Sequence, residues 1–218
     1  MRSYSNPEAV LLDMDGTLVD SDGAVERAPS ATLASRKLAL SAWAVEYGVD
    51  PALALVNAHG SPASITAARL RPDLDAAQVD TAAARQLELQ YDDLADVVPI
   101  AGAERLLTAF ERIGMPWAVT SADDRLAKAR LAAAGIRPPL LFTFEDVARG
   151  KPDPEGYLLA AKALGVDPAA CLVVEDSEPG LAAGRAAGAM TASLRGLDAD
   201  VQLTDLGDLA ELLVPDGR

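Results

Sequence analysis

The chain has 218 residues, half of them apolar and 4% aromatic, and its 33 Asp and Glu outnumber 19 Lys and Arg to give a formal net charge of -14. That length buries one good core and a small second lobe. The acidity excludes nucleic acid and anionic membrane surfaces as partners, because both demand a basic face. No apolar run approaches the ~20 residues that span a bilayer. Cys171 is the only cysteine and cannot form an internal disulfide; it sits in the run Cys171-Leu172-Val173-Val174, which reads as a buried strand. The N-terminus lacks an apolar signal core, so the cytoplasm is the expected compartment.

In chain order, the first element is the short apolar run Val10-Leu11-Leu12, which ends abruptly in Asp13-Met14-Asp15-Gly16-Thr17. Two carboxylates at a strand's carboxyl end stand where open α/β sheets bind ligands. Residues 22–96 differ from the rest: Ala-rich, helical in pattern as over 79–94, broken at Pro29, Pro51, Pro62 and Pro72, and without a convincing strand. From there on, strands and helices alternate. Trp117-Ala118-Val119-Thr120 precedes a helix over 123–134, and Leu140-Leu141-Phe142-Thr143 is another short strand. A helix follows over 154–164, with Asp153 expected as N-cap and Pro154 at its first position. Next come a strand over 171–175, a helix over 180–187 and a strand over 190–194. This alternation predicts a Rossmann-like, doubly wound parallel α/β sheet, formed by residues 1–21 and 97–218. Residues 22–96 are expected as a small all-helical insertion. Gly180, Gly184 and Gly188 share nearly one helical face, which predicts close packing of that helix on the sheet rather than a phosphate loop.

Polar clusters recur at the strand ends: Asp13 and Asp15; Thr120-Ser121; Gly150-Lys151-Pro152-Asp153; and Glu175-Asp176. Parallel strands deliver their carboxyl ends to one rim, so these groups should converge although they are far apart in sequence. Carboxylates in a small space raise one another's pKa, and a hard divalent cation relieves that repulsion. An all-oxygen donor set, with His59 as the only histidine and no cysteine cluster, suits Mg²⁺ rather than Zn²⁺. A carboxylate nucleophile, Mg²⁺, Lys151 and a hydroxyl together suit phosphoryl transfer. A second carboxylate two residues on can serve as general acid and then as base.

The set Asp13-Met14-Asp15-Gly16-Thr17-Leu18-Val19-Asp20-Ser21, Thr120-Ser121, Gly150-Lys151-Pro152 and Glu175-Asp176 resembles the four motifs of the haloacid dehalogenase-like superfamily, in order and across nearly the whole chain. Within it the chain is similar to the sugar-phosphate phosphatase branch, through Ala58-His59-Gly60, residues 116–121, 149–158, 173–177 and 180–184. The resemblance implies Asp13 as nucleophile and Asp15 as general acid/base. It implies Mg²⁺ held by Asp13, the Asp15 carbonyl and Asp176, with Glu175 in or beside its shell. Thr120 and Ser121 would bind the phosphoryl group, Lys151 would offset its charge, and the helical insertion would be a cap over the substrate. His59 becomes a candidate substrate-side residue.

The expected substrate is a small phosphorylated metabolite, and the expected protein a monomer or weak homodimer. A hexose-phosphate mutase is the alternative, but the position where β-phosphoglucomutases carry a histidine aligns with Val25, which cannot serve that role. The family pattern is also interrupted at Pro29-Ser30, with about a dozen extra residues running to Leu40.

Overall fold

The computed structural model describes residues 6–20, 35–58, 61–91, 94, 97–121 and 123–214. The chain begins with β1 (Ala9–Asp13) and the short β2 (Val19–Asp20), then runs through α1 (Ser35–Glu46), α2 (Pro51–Ala58), α3 (Ala63–Leu70) and α4 (Ala76–Tyr91). It returns through β3 (Val98–Pro99), α5 (Ala103–Ile113), β4 (Trp117–Thr120), α6 (Asp124–Ala133), β5 (Leu141–Phe142) and α7 (Glu155–Leu164). It ends with β6 (Cys171–Glu175), α8 (Glu178–Ala186), β7 (Met190–Ser193), β8 (Val201–Gln202) and α9 (Leu206–Leu213).

Six strands form a parallel sheet in the order β5-β4-β1-β6-β7-β8. Every residue of β1 and β6 is buried, as a strand covered on both faces requires. Their side chains alternate between two apolar clusters. Val10, Leu12, Val119, Leu172 and Val174 join Leu106, Phe110, Leu206 and Leu209 on one face. Ala9, Leu11, Ala118, Cys171 and Val173 join Tyr157, Ala160 and Ala161 on the other. The sheet is therefore doubly wound, as its alternating pattern predicts. Cys171 is a small core residue whose thiol is pushed up to about 11 by burial.

Helices α1–α4 make a third cluster of their own around Trp43, Ala44, Ala54, Ala67 and Ala82. Trp43 Nε1 donates to the Ala82 carbonyl at 2.8 Å and ties α1 to α4. The chain leaves the sheet region at β2 and re-enters at β3, and these two segments pair antiparallel, Val19 with Pro99 and Asp20 with Val98. No described helix is long and apolar enough to cross a membrane.

Three expectations are modified. Asp153 does not cap α7: Pro154 holds the N-cap position without a side-chain bond, and Asp153 Oδ1 accepts from Glu155 N at 3.1 Å in a local turn. Gly188 does not pack on the sheet. It has φ +86 with open space around it, so it serves the left-handed turn after α8, whereas Gly180 and Gly184 do meet the sheet closely. Sequence pattern also passed over β2, β3, β8, α5 and α9. The three strands have two residues each, too few to show a period.

Candidate active site

Register brings the predicted groups together. β1 and β4 pair with Asp13 opposite Thr120, and β1 and β6 pair Leu12 with Val174, which sets Glu175 and Asp176 beside Asp13. After β1 the chain turns tightly: Leu18 N and Val19 N both bond the Met14 carbonyl at 2.9 Å, and Gly16 N bonds the Val19 carbonyl at 2.9 Å. Gly16 is required twice over. Its φ is +83, and a Cβ there would lie 2.0 Å from Asp176 Oδ2. The missing side chain lets the β1 turn close on the Glu175-Asp176 corner.

Asp13, Asp15, Thr120, Ser121, Lys151 and Asp176 line one cleft. Lys151 Nζ pairs with Asp13 and, at 2.6 Å, with Glu175 Oε1. Glu175 is fully buried and saturated with donors. Oε1 also accepts from Tyr157 OH at 2.7 Å, while Oε2 accepts from Ser177 Oγ at 2.9 Å and from the Asp176 and Ser177 N–H groups at 3.2 and 3.3 Å. Gly180 makes room for this carboxylate, because a Cβ there would lie 1.8 Å from Glu175 Oε1. The loop carrying Lys151 is pinned from behind: Glu155 Oε2 accepts from Ala148 N and Arg149 N, and Arg149 pairs with Asp153 at 3.0 Å.

The electrostatics follow from an excess of acid. Burial and the neighbouring Glu175 push the Asp13 carboxyl well above its ordinary value, with Lys151 opposing them only in part. Burial by itself would lower the Lys151 ammonium, but Asp13 and Glu175 outweigh it and hold Lys151 cationic well above the usual lysine range. Carboxylate oxygens of Asp13, Glu175 and Asp176 lie within 4.8 Å of one another. Three hard oxygen donors with an excess of negative charge fit a divalent cation of the Mg²⁺ type. Thr120 Oγ1 is buried beside them with no hydrogen-bond partner among the described residues, a donor ready for an incoming oxygen.

The Asp15 carboxylate has a separate cationic partner. Arg130 Nη1 pairs with Asp15 Oδ1 at 2.8 Å, and Arg130 Nη2 donates to Gln90 Oε1 of α4 at 2.9 Å. Sequence reading missed Arg130, since a single Arg in a surface helix pattern carries no signal, yet it is only 3% exposed. It also missed Tyr157 and Arg195, whose Nε lies 2.9 Å from Asp176 Oδ2. A second bond joins the helical region to the sheet region near the cleft. Tyr91 OH donates to Asp123 Oδ1 at 3.0 Å, and Asp123 in turn caps α6 through Leu126 N at 2.7 Å. Burial and Asp123 push the Tyr91 hydroxyl up to about 12. His59, Val25 and the Pro29-Ser30 interruption lie outside the described residues.

Residues 7–188 match the family model described as haloacid dehalogenase-like hydrolase. The chain belongs to the haloacid dehalogenase-like hydrolase family. It is 38% identical over 180 residues to hexitol phosphatase A of Escherichia coli, a match covering 82% of this chain and 78% of that protein. It is 33% identical over 204 residues to 2-deoxyglucose-6-phosphate phosphatase 1 of Saccharomyces cerevisiae, covering 84% and 78%. A crystal structure of a HAD family hydrolase from Deinococcus radiodurans R1, with bound phosphate and sodium, superposes with a TM-score of 0.67 at 28% identity over 95% of both chains. In this haloacid dehalogenase-like chain the four motifs occupy one rim of the sheet.

Proposed function

We propose that the protein is a Mg²⁺-dependent phosphatase of a small sugar or polyol phosphate, working through an aspartyl-phosphate on Asp13. The observation that carries this reading is the convergence of Asp13, Asp15, Thr120, Lys151 and Asp176 on one cleft. Relatives named as hexitol and deoxyglucose-phosphate phosphatases support the substrate class.

Thr120 Oγ1 and Ser121 donate to the phosphoryl oxygens, and Lys151 sets a fixed positive charge beside them. An Asp13 oxygen attacks phosphorus while the ester P–O bond breaks, and Asp15 gives its proton to the departing alkoxide. Asp15 then takes a proton from the water that attacks the aspartyl-phosphate; phosphate leaves and Asp13 is regenerated. Asp13, the Asp15 carbonyl and Asp176 would hold Mg²⁺, which supplies charge neutralisation at the transferring group. Glu175 stands beside that set and anchors Lys151, because its oxygens are already engaged by protein donors.

In this reading helices α1–α4 are a cap on the core formed by residues 1–21 and 97–218, with 22–96 as its insertion. His59 remains a candidate on the substrate side. The proposed setting is the cytoplasm, as a monomer or weak homodimer. A panel of hexose, pentose and polyol phosphates, with Mg²⁺ and with EDTA, tests the reading. The expected result is Mg²⁺-dependent release of free phosphate, lost in Asp13→Asn. Isomerised sugar phosphate without free phosphate would replace it with a mutase.

A further inference from the structure

Helix α4 turns an unusual face toward the sheet region. Its buried residues are Ala82, Ala83, Gln86 and Gln90, so two amides stand one turn apart where packing alone would favour Leu. Gln90 is engaged: its Oε1 accepts from Arg130, and its Nε2 donates to the Gln86 carbonyl at 3.3 Å. Gln86 is not. It is 3% exposed, and its Oε1 has no hydrogen-bond partner among the described residues. Both amides line a small cavity with Asp15, Ser121 and Arg130. That cavity shares Asp15, Ala58, Ser61 and Ser121 with the cleft of Asp13 and Lys151, so it adjoins the site.

A buried acceptor left unpaired weakens the fold that contains it. Gln86 is placed where such a group can gain its partner from a ligand, on the Asp15 side of the cleft where the leaving alcohol departs. We propose that Gln86 is a specificity-determining residue that bonds a hydroxyl of the leaving alcohol, so that the enzyme selects phosphate esters of polyhydroxylated alcohols over plain alkyl esters. A hydroxyl is the fitting partner because it both donates and accepts, and pairs with the amide in either orientation. Gln90 and Arg130 hold the wall of the pocket around it. The inference rests on the phosphatase reading above and names its substrate selection.

The test compares an alditol phosphate with the n-alkyl phosphate of equal carbon number, in the wild-type protein and in Gln86→Leu and Gln86→Met, with Mg²⁺. Wild type is expected to favour the alditol ester in kcat/KM. Either variant is expected to reduce that preference about 10-fold, the loss that follows when a buried amide no longer meets its hydroxyl. The ligand-free variants are expected to melt at the same temperature as wild type or higher, since an orphaned acceptor has been removed. An unchanged alditol-to-alkyl ratio in the variants overturns the proposal. So does a lower melting temperature with equal losses on both esters, which would give Gln86 a structural role. A wild type that does not discriminate between the esters overturns it without any variant. If wild type releases no phosphate from either ester or from p-nitrophenyl phosphate, the phosphatase reading fails and this one with it. Phosphate release with an unchanged ratio removes the subsite alone.

Discussion

Arg130 and Asp15 are 115 positions apart in sequence, and a guanidinium nitrogen of one lies 2.8 Å from a carboxylate oxygen of the other. The same guanidinium reaches Gln90 on α4, so one buried cation joins the proposed acid/base to the helical region. Asp15 and Gln90 of α4 thus share one partner, the Arg130 side chain of α6. In the proposed reading, Arg130 would link docking of the cap to alignment of the proton-transfer group.

Arg130→Lys tests that coupling. Lysine keeps the charge but loses the planar fork that serves two acceptors at once. Steady-state kinetics on an alkyl phosphate are expected to show kcat about 10- to 100-fold lower, because small misplacements of a catalytic group are costly, with KM changed much less. A raised KM at constant kcat, with kcat/KM falling by the same factor, would mean that Arg130 only binds substrate.

Lys151→Met removes the ammonium shared by Asp13 and Glu175. It leaves a fully buried Glu175 and a largely buried Asp13 without their cation. Breaking one partner of a buried pair costs about 3–5 kcal/mol, so urea unfolding in EDTA should show an unfolding free energy lowered by that amount, with the midpoint falling in proportion. Phosphate release should also vanish.

Two glycines of one helix segment make a contrast that separates space from backbone. A Cβ at Gly180 would stand 1.8 Å from Glu175 Oε1, inside the network that holds Lys151. Gly180→Ala is expected to destabilise by about 3 kcal/mol through overpacking and to lower activity with it. Gly188 has φ +86 and open surroundings. Gly188→Ala is expected to cost about 1 kcal/mol of backbone strain and to leave kcat alone. Denaturant curves and phosphate release on the two variants measure both effects.

Magnesium should stabilise the protein before any substrate is present. The Asp13 carboxyl is pushed up by burial and by Glu175 even beside the Lys151 ammonium, so its charge is unfavourable in the folded protein until a further cation joins it. A ligand that binds only the folded state at 100 times its Kd adds about 2.7 kcal/mol. A thermal scan should therefore show Tm rising with Mg²⁺ and falling back with EDTA. In Asp13→Asn the rise should shrink.

Thr120→Val replaces a buried hydroxyl that has no partner among the described residues with a methyl group of similar size. Stability should hold or improve slightly. Affinity for a phosphoryl ligand should fall by about 1–3 kcal/mol, since that hydroxyl is proposed to meet a phosphoryl oxygen. Inorganic phosphate as a competitive inhibitor gives the measurement, read as a raised inhibition constant.

The sheet and its reactive rim were legible because both are local patterns. A fully apolar run such as Val10-Leu11-Leu12 must be a covered strand, and an acid directly after it must stand at the strand's carboxyl end. The same reasoning found Thr120, Glu175 and Asp176. Lys151 had only a motif to mark it, and the packing explains it: Glu155 pins its loop, and Glu175 draws its ammonium to Asp13. Arg130, Gln86 and Gln90 were not legible. In a helix pattern each reads as a solvated polar residue, and their burial comes from tertiary packing, including that of α4 on α6.

The sequence by itself determined the doubly wound sheet, the order of its reactive strand ends and the type of chemistry that its acids, lysine and hydroxyls can perform. Those follow from short-range hydrophobic patterning and from which side chains interrupt it. Only the tertiary structure decided which charge faces which: Lys151 between Asp13 and Glu175, Arg195 on Asp176, and Arg130 on Asp15. Such pairings depend on separations of a few ångströms between largely buried groups, where Coulombic energy changes steeply with distance and burial. No spacing along the chain encodes that geometry.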